Sequence, residues 1–505
     1  MLEKYVKKIL GSSVYAVAIE SPLQPAPILS QRLNHRVMVK REDMQPVYSF
    51  KLRGAYNKIA QLNASDRARG VITASAGNHA QGVALAAARL NIKAHIVMGR
   101  NTPSIKINAV RSLGARVILF GDAYDEASDH ASQLEREHGY IYVHPYDDID
   151  VIAGQGTVGM EIMNQHAGLP DAIFVPVGGG GLIAGIGAYV KYLAPKVRII
   201  GVESEGSACL SAALKAGRRV KLPYETLDLF ADGVSVAQVG KENFKVARAC
   251  VDQVITVSTD EICAAIKDLF DDTRSVAEPS GALALAGLKK YAATTSATNE
   301  KLVAVVSGAN VNFDRLRHIS ERAEVGEHRE IVLGVTIPEE RGSFRRFCMT
   351  LGKHSVTEFN YRYAGDDAAH VYVGLQISAA SDRERVNADL SAAGYACADM
   401  TDNETAKLHV RHMVGGRSLA AKPELLFRFE FPERPGALLR FLSGLGSHWN
   451  ITVFHYRNHG SAWGRVLVGF EAQVSDRKNL RQYLDRIGYR YTEETDNPAY
   501  LLFLR

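Results

Sequence analysis

From residue 36 to about 310, short apolar runs alternate with longer stretches in which apolar residues recur every three or four positions. Residues 36–40, 70–73, 94–98 and 116–120 read as strands, and so do 172–177, 197–202 and 302–306. Each run is brief and nearly continuous in apolar residues, the pattern of a parallel strand covered by helices on both faces. A doubly wound α/β architecture follows, with ligands expected beyond the carboxyl ends of the strands.

The pattern changes at 321–330, where Glu-Arg-Ala-Glu-Val-Gly-Glu-His-Arg-Glu reads as a solvated helix face or linker and marks a domain boundary. Beyond it the chain repeats itself. Ile337-Pro-Glu-Glu-Arg-Gly-Ser-Phe-Arg-Arg-Phe347 aligns with Phe431-Pro-Glu-Arg-Pro-Gly-Ala-Leu-Leu-Arg-Phe441, and Gly342 pairs with Gly436, 94 residues on. After one inserted residue, Asn360-Tyr361-Arg362 pairs with His455-Tyr456-Arg457. That period exceeds the roughly 20–50 residues of solenoid repeats. Two copies of one small α+β sandwich of ferredoxin-like type are expected instead, each reading strand, turn, helix, strand and further strands. The expected domains are 1–320, 331–410 and 424–505.

Composition narrows the class. Of 505 residues, 46% are hydrophobic and 23% charged, which fits an ordinary globular protein. No apolar run approaches the ~20 residues needed to span a bilayer, and residues 1–10 lack the apolar core of a signal peptide. Five scattered cysteines with no C-x-x-C pair argue against a disulfide framework and a cysteine-bound metal. A reducing cytoplasm fits. The net charge of +5 is small for this length, and no basic cluster interleaved with aromatics points to nucleic acid.

Four stretches of the first half carry candidate chemistry. In Ser49-Phe-Lys51-Leu-Arg-Gly-Ala55, partial burial beside Phe50 and Leu52 would lower the lysine pKa and make a nucleophile and base. A lone surface charge is the plain alternative. Ser75-Ala76-Gly77-Asn78-His79 follows a strand and opens a helix whose N-terminus favours an anion. Asn78 could equally be an N-cap, and His79 a satisfied core histidine. Gly178-Gly179-Gly180-Gly181-Leu182 follows an apolar strand. Four glycines cost backbone entropy, so the turn needs positive φ or a phosphate needs a nest of N–H donors. A dinucleotide loop is the rival, although no acidic residue closes the next strand in the usual way and Glu203 is the nearest. Ser307, at another strand end, could hydrogen-bond a neutral ring nitrogen or simply cap a helix.

Together and in this order, the four stretches resemble the β-family of pyridoxal-phosphate enzymes, fold type II, and within it the long, biosynthetic threonine dehydratases. Ser-Phe-Lys-Leu-Arg-Gly-Ala is similar to the cofactor-lysine signature of serine and threonine dehydratases, 277–282 is a further family segment, and the repeat beyond 330 resembles paired regulatory domains of ACT type. The resemblance covers essentially the whole chain. It implies that Lys51 carries pyridoxal 5'-phosphate, that Asn78 meets the ring hydroxyl, that Gly178–Leu182 hold the phosphate and that Ser307 faces the ring nitrogen. Ser75, Ala76, Gly77, Asn78 and His79 would face the substrate carboxylate. It also implies β-elimination from threonine, with serine a possible second substrate, in a cytoplasmic homotetramer. Isoleucine and valine would act as effectors near Tyr361, Arg362, Tyr456 and Arg457. No metal is called for, although a monovalent-cation site near 203–209 stays open.

The rivals are a serine dehydratase, racemase or β-replacement enzyme of the same cofactor family, a nucleotide-dependent oxidoreductase, and a non-catalytic amino-acid sensor. Serine racemases resemble Ser-Ser-Gly-Asn-His where this chain has Ala76, which removes the second serine as an acid on the far face. The intact lysine motif speaks against a pure sensor.

Overall fold

The computed structural model describes residues 1–326 and most of 330–504. Outside the description are 327–329, 339–345, 348–349, 352–355, 362–367, 378–379, 413–422, 433–448, 450, 458–462 and 505. The chain divides into two compact units, Met1–Ala323 and Glu324–Arg505.

The first unit holds ten strands: β1 Leu23–Pro25, β2 Arg36–Arg41, β3 Val71–Ala74, β4 Ala94–Met98, β5 Arg116–Leu119, β6 Ile141–Tyr142, β7 Ala172–Pro176, β8 Arg198–Ser204, β9 Gln253–Val257 and β10 Lys301–Val306. They form a six-stranded sheet in the order β1-β2-β10-β7-β8-β9 and a four-stranded sheet in the order β5-β4-β3-β6. All pairings are parallel except β1 with β2. The strands read from the sequence all pair in parallel with one another, and the antiparallel edge is an added strand ending at Pro25; a proline is tolerated at an edge because its missing N–H costs no ladder bond there.

Both faces of each sheet are buried, which explains the continuous apolar runs. In β10, Leu302, Ala304 and Val306 join one core while Val303 and Val305 join the core across the sheet. In the smaller sheet, Val71 and Ile96 pack on one side, Ile72 and Val97 on the other. At roughly 25 cal/mol per Å² of apolar surface removed from water, these four cores are the main stabilising term.

The charge-dense stretch is only partly a solvated face. The helix Arg315–Gly326 runs through it, Arg322 is buried against Asp260 at 2.5 Å, and Glu330 is 3% exposed and paired with Arg411 at 2.9 Å.

The second unit carries β11 Glu330–Pro338, β12 Val356–Tyr361, β13 Ala368–Gln376, β14 Ala396–Asp399, β15 Glu424–Pro432, β16 Ile451–Arg457, β17 Trp463–Glu471 and β18 Arg490–Glu493. The two sheets, β12-β13-β11-β14 and β16-β17-β15-β18, have the same order, and all their pairings are antiparallel. This is the ferredoxin-like arrangement that the repeat predicted. Even the irregularity repeats: register shifts fall between Val356 and Glu358 in one copy and Ile451 and Val453 in the other. One face of each sheet packs on its own helix. Val332, Tyr372 and Val410 of the first copy share a further core with Leu426, Leu467 and Leu504 of the second. There Asn403 donates to its repeat counterpart Asn497 at 3.1 Å.

Candidate active site

Lys51 is the first residue of the helix Lys51–Ala60. The preceding loop is stitched to the end of β10, because Phe50 N–H donates to the Ser307 carbonyl at 3.2 Å and Ala309 N–H to the Tyr48 carbonyl at 2.9 Å. Tyr48 holds φ at 55°, a left-handed conformation rare for a large side chain and maintained by those ties. The Lys51 ammonium donates to the Pro145 carbonyl at 3.1 Å and lies 5.4 Å from the Phe50 ring centroid. Burial pushes its pKa down to about 8, while the Glu278 carboxylate pulls the other way. The positive end of its own helix also disfavours the charged form. The lysine is therefore poised to lose a proton near neutral pH, as a nucleophile must.

Asn78 is the first residue of the helix Asn78–Arg89 and its cap is Gly77, so the N-cap alternative fails. Its side chain turns instead toward two neighbours. Nδ2 donates to Glu278 Oε1 at 2.5 Å, and Oδ1 accepts from Asn310 Nδ2 at 2.7 Å. His79 is buried, and its Nε2 donates to the Val143 carbonyl at 2.9 Å. Burial, with Lys51 close by, pushes its pKa down to about 3, so the ring is neutral. The His79 side chain is thus engaged with the Val143 carbonyl, away from a role facing the substrate. The space beside Gly77 is open: a Cβ there would meet nothing within 4 Å. Ser75 Oγ accepts from the Gly77 N–H at 3.3 Å, which shapes the turn, and Ala76 packs partly against the small-sheet core.

The glycine run links β7 to the helix Gly181–Leu193. Gly180 takes φ +90°, and a Cβ on Gly179 would fall 2.2 Å from the Tyr146 ring. The conformational reading of the run thus holds at Gly180, and the neighbouring glycines leave room for Tyr146 and Val234 to approach the loop. The loop is pinned from behind, with the Gly179 carbonyl accepting from Asn243 Nδ2 at 2.7 Å and Gly240 N–H at 3.0 Å. Among the described residues the amides of Gly178 to Leu182 donate to no protein acceptor, while the Leu182 side chain sits in the core. Unsatisfied amides at a helix N-terminus, on a turn packed too closely against Tyr146 and Val234 to take a side chain, fit a phosphate. Pro145, which accepts from Lys51, adjoins Tyr146, which packs on Gly179, so one short segment contacts both the lysine and the loop.

Ser307 caps no helix; it directly follows β10, is 3% exposed, and donates through Oγ to the Ser280 carbonyl at 3.2 Å. A hydroxyl can pair with a neutral ring nitrogen but cannot protonate it as a carboxylic acid would. Glu203 is accounted for otherwise. Its oxygens accept from Leu210 N–H at 2.7 Å and Ser211 N–H at 2.8 Å, capping a helix, and burial pushes its pKa up to about 7. It is thus not free for a ribose, and no metal-ligating cluster occurs among the described residues. Sequence reasoning missed Glu278, Asn310, Tyr146 and Asn243 as members of the site. Glu278 did leave a signal, a lone carboxylate in the otherwise small and apolar 277–286.

A family model described as pyridoxal-phosphate dependent enzyme matches residues 16–308, and one described as the C-terminal regulatory domain of threonine dehydratase matches 321–410 and again 415–504. Over 503 residues the chain is 54% identical to the biosynthetic L-threonine dehydratase of Burkholderia multivorans, covering 99% of both. The chain belongs to the biosynthetic threonine dehydratases. It is 52% identical to the Escherichia coli enzyme, covering 99% of this chain and 97% of that one. Among solved structures, processed threonine deaminase isoform 2 from Solanum lycopersicum superposes with a TM-score of 0.62 at 51% identity, covering 64% of this chain and 93% of that one. Maize serine racemase superposes at 0.59 and 31% identity, covering 64% and 98%. Family membership makes this a pyridoxal-phosphate-dependent lyase of fold type II with paired regulatory domains, a threonine ammonia-lyase, and removes the oxidoreductase and the pure sensor.

Of the effector calls, Tyr361 ends β12 and Tyr456 and Arg457 end β16, opposite Val371, Val466 and Arg465. Arg362, Gly342 and Gly436 lie outside the described residues.

Proposed function

We propose that the chain removes water and then ammonia from L-threonine to give 2-oxobutanoate, with Lys51 as cofactor lysine and base and with isoleucine inhibiting through residues 331–505. The observation that carries the reading is Lys51 itself, a lysine pushed down to about 8, set beside a glycine cradle of unpaired amides. Pyridoxal phosphate, when bound, supplies the electron sink for the charge left at Cα. The chain does the rest. Amides of Gly178–Leu182 hold the phosphate, Asn78 meets the ring hydroxyl, and Ser307 leaves the ring nitrogen neutral. The turn Ser75-Ala76-Gly77-Asn78-His79 takes the substrate carboxylate in the open space beside Gly77. Lys51 Nζ, which burial makes far easier to deprotonate than an ordinary lysine, takes the Cα proton. With the Ser307 hydroxyl in place of an acid at that nitrogen, the cofactor would supply a weaker electron sink, which favours prompt loss of the β-hydroxyl.

The catalytic part is 1–320 and the regulatory subdomains are 331–410 and 424–505, working in a cytoplasmic homotetramer. The support for the setting is the scatter of free thiols. Isoleucine and valine occupy the second unit near Tyr361, Arg362, Tyr456 and Arg457, and serine is a second substrate. Similarity to a serine racemase favours one further comparison, but Ala76 offers no acid on the face opposite Lys51. Product analysis tests this: threonine should yield 2-oxobutanoate with no epimerised amino acid. D-amino acid formed at a rate comparable with deamination would refute the assignment.

A further inference from the structure

Glu278 is a buried carboxylate that the mechanism above leaves without work. It is 5% exposed and stands at the N-cap of the helix Pro279–Thr294, yet its side chain makes no capping hydrogen bond. Capping is the cheapest local use for an acid in that position. The carboxylate turns away and receives Asn78 Nδ2 at 2.5 Å and Ser280 Oγ at 3.0 Å on one oxygen, Oε1. Room has been left for it, since a Cβ on Gly308 would fall 2.4 Å from that same oxygen. The Glu278 backbone N–H is fastened to the Gly308 carbonyl at 3.1 Å, in the loop that also holds Ser307.

The consequence is a defined orientation for Asn78. Asn310 Nδ2 also donates to the Val47 carbonyl at 2.9 Å, so its identity as the donor is settled. The Asn78 atom facing it must then be Oδ1, and the atom facing the carboxylate must be Nδ2. Only the second N–H of Nδ2 stays free. An asparagine amide carries its donor and acceptor on nearly isosteric arms. Asn310 and Glu278 hold the amide from its two arms, one giving to Oδ1 and the other taking from Nδ2; without Glu278 the donor arm loses its only partner among the described residues.

We propose that Glu278 is a positioning residue: its buried carboxylate, opposite Asn310, locks the Asn78 amide so that an N–H faces the cofactor ring. This rests on the cofactor reading above. The titratable and charged groups around Lys51 and Glu278 are His79 and His144 near Lys51, and Asp232 and Lys106 near Glu278.

The test uses the full-length holoenzyme and three variants, Glu278→Gln, Glu278→Asp and Glu278→Ala, with Lys51→Ala as reference. Readouts are cofactor dissociation on dilution, the pH titration of the bound cofactor's visible band, and the thermal midpoint of the cofactor-free protein. Glu278→Ala should weaken cofactor retention by about tenfold or more, the scale of one hydrogen bond to a charged group. Glu278→Gln should hold its midpoint but move the titration of the band to lower pH, because the charge favouring a protonated nitrogen at Lys51 is gone. Glu278→Asp should keep the wild-type titration. Wild-type retention and titration in both Glu278→Gln and Glu278→Ala would overturn the proposal, and if Glu278→Ala does not fold, Glu278→Gln alone decides. An unchanged visible band in Lys51→Ala would instead overturn the cofactor reading itself.

Discussion

At the scale of single residues, the site works by removing alternatives. Lys51 lacks a carboxylate partner in hydrogen-bond reach; it rests on a carbonyl and an aromatic face, and burial brings its pKa to about 8 instead of the usual ~10.4. Only the neutral amine can form the covalent link to the cofactor. The rate of cofactor capture by the cofactor-free protein should therefore rise with pH, reach half its plateau near 8 and level off above it, followed by the visible band in stopped flow. A rise continuing to an ordinary lysine value would mean that Lys51 is solvated. Most of these residues were legible in the sequence because glycines and a lysine in apolar company are chemically loud. Glu278 and Asn310 were quieter: their importance comes from meeting Asn78 across 200 and 232 residues of chain, a proximity that no local pattern encodes.

At the scale of elements, the helix that presents Lys51 is clamped two residues further on. Arg53 is fully buried, with Nε 2.7 Å from Glu42 Oε2 and Nη1 2.5 Å from Glu161 Oε1, and Lys40 completes the group at 2.6 Å from Glu161. Two cations and two carboxylates balance, but removing one cation leaves an uncompensated buried acid. Arg53→Met should cost about 3–5 kcal/mol in urea unfolding. The sign with pH follows from Glu42, whose pKa is held below the usual 4.5 chiefly by Arg53, against the opposing effect of burial. Its contribution is full above the unfolded value and is lost as pH falls through the folded one. The variant should lack much of that acid-side loss, and equal stability of the two proteins at pH 7 would contradict the clamp. Strands covered on both faces were readable from composition alone. The edge strand Leu23–Pro25 was not, being three residues long, and neither was β9, whose middle residues are only partly buried.

At the scale of the whole molecule, catalysis and regulation are assigned to separate units. The repeat was the most legible feature beyond the first unit, because duplication is visible without knowing what is duplicated; its ligand was not, since the repeated residues include no motif that specifies one. Isoleucine can shift activity only through a difference in affinity between two arrangements, with a coupling of roughly 1–3 kcal/mol. A chain ending after Glu324 should deaminate threonine and ignore isoleucine, measured as initial rates with and without the effector; an unchanged isoleucine response would place the effector site in the first unit. The central claim is narrower, that this chain deaminates threonine through Lys51. Its most direct test is 2-oxobutanoate formation from L-threonine by the full-length protein and by Lys51→Ala, each loaded with pyridoxal phosphate. The wild type should turn over and the variant should lose both turnover and the covalent cofactor link, whereas sustained deamination by Lys51→Ala would contradict the account.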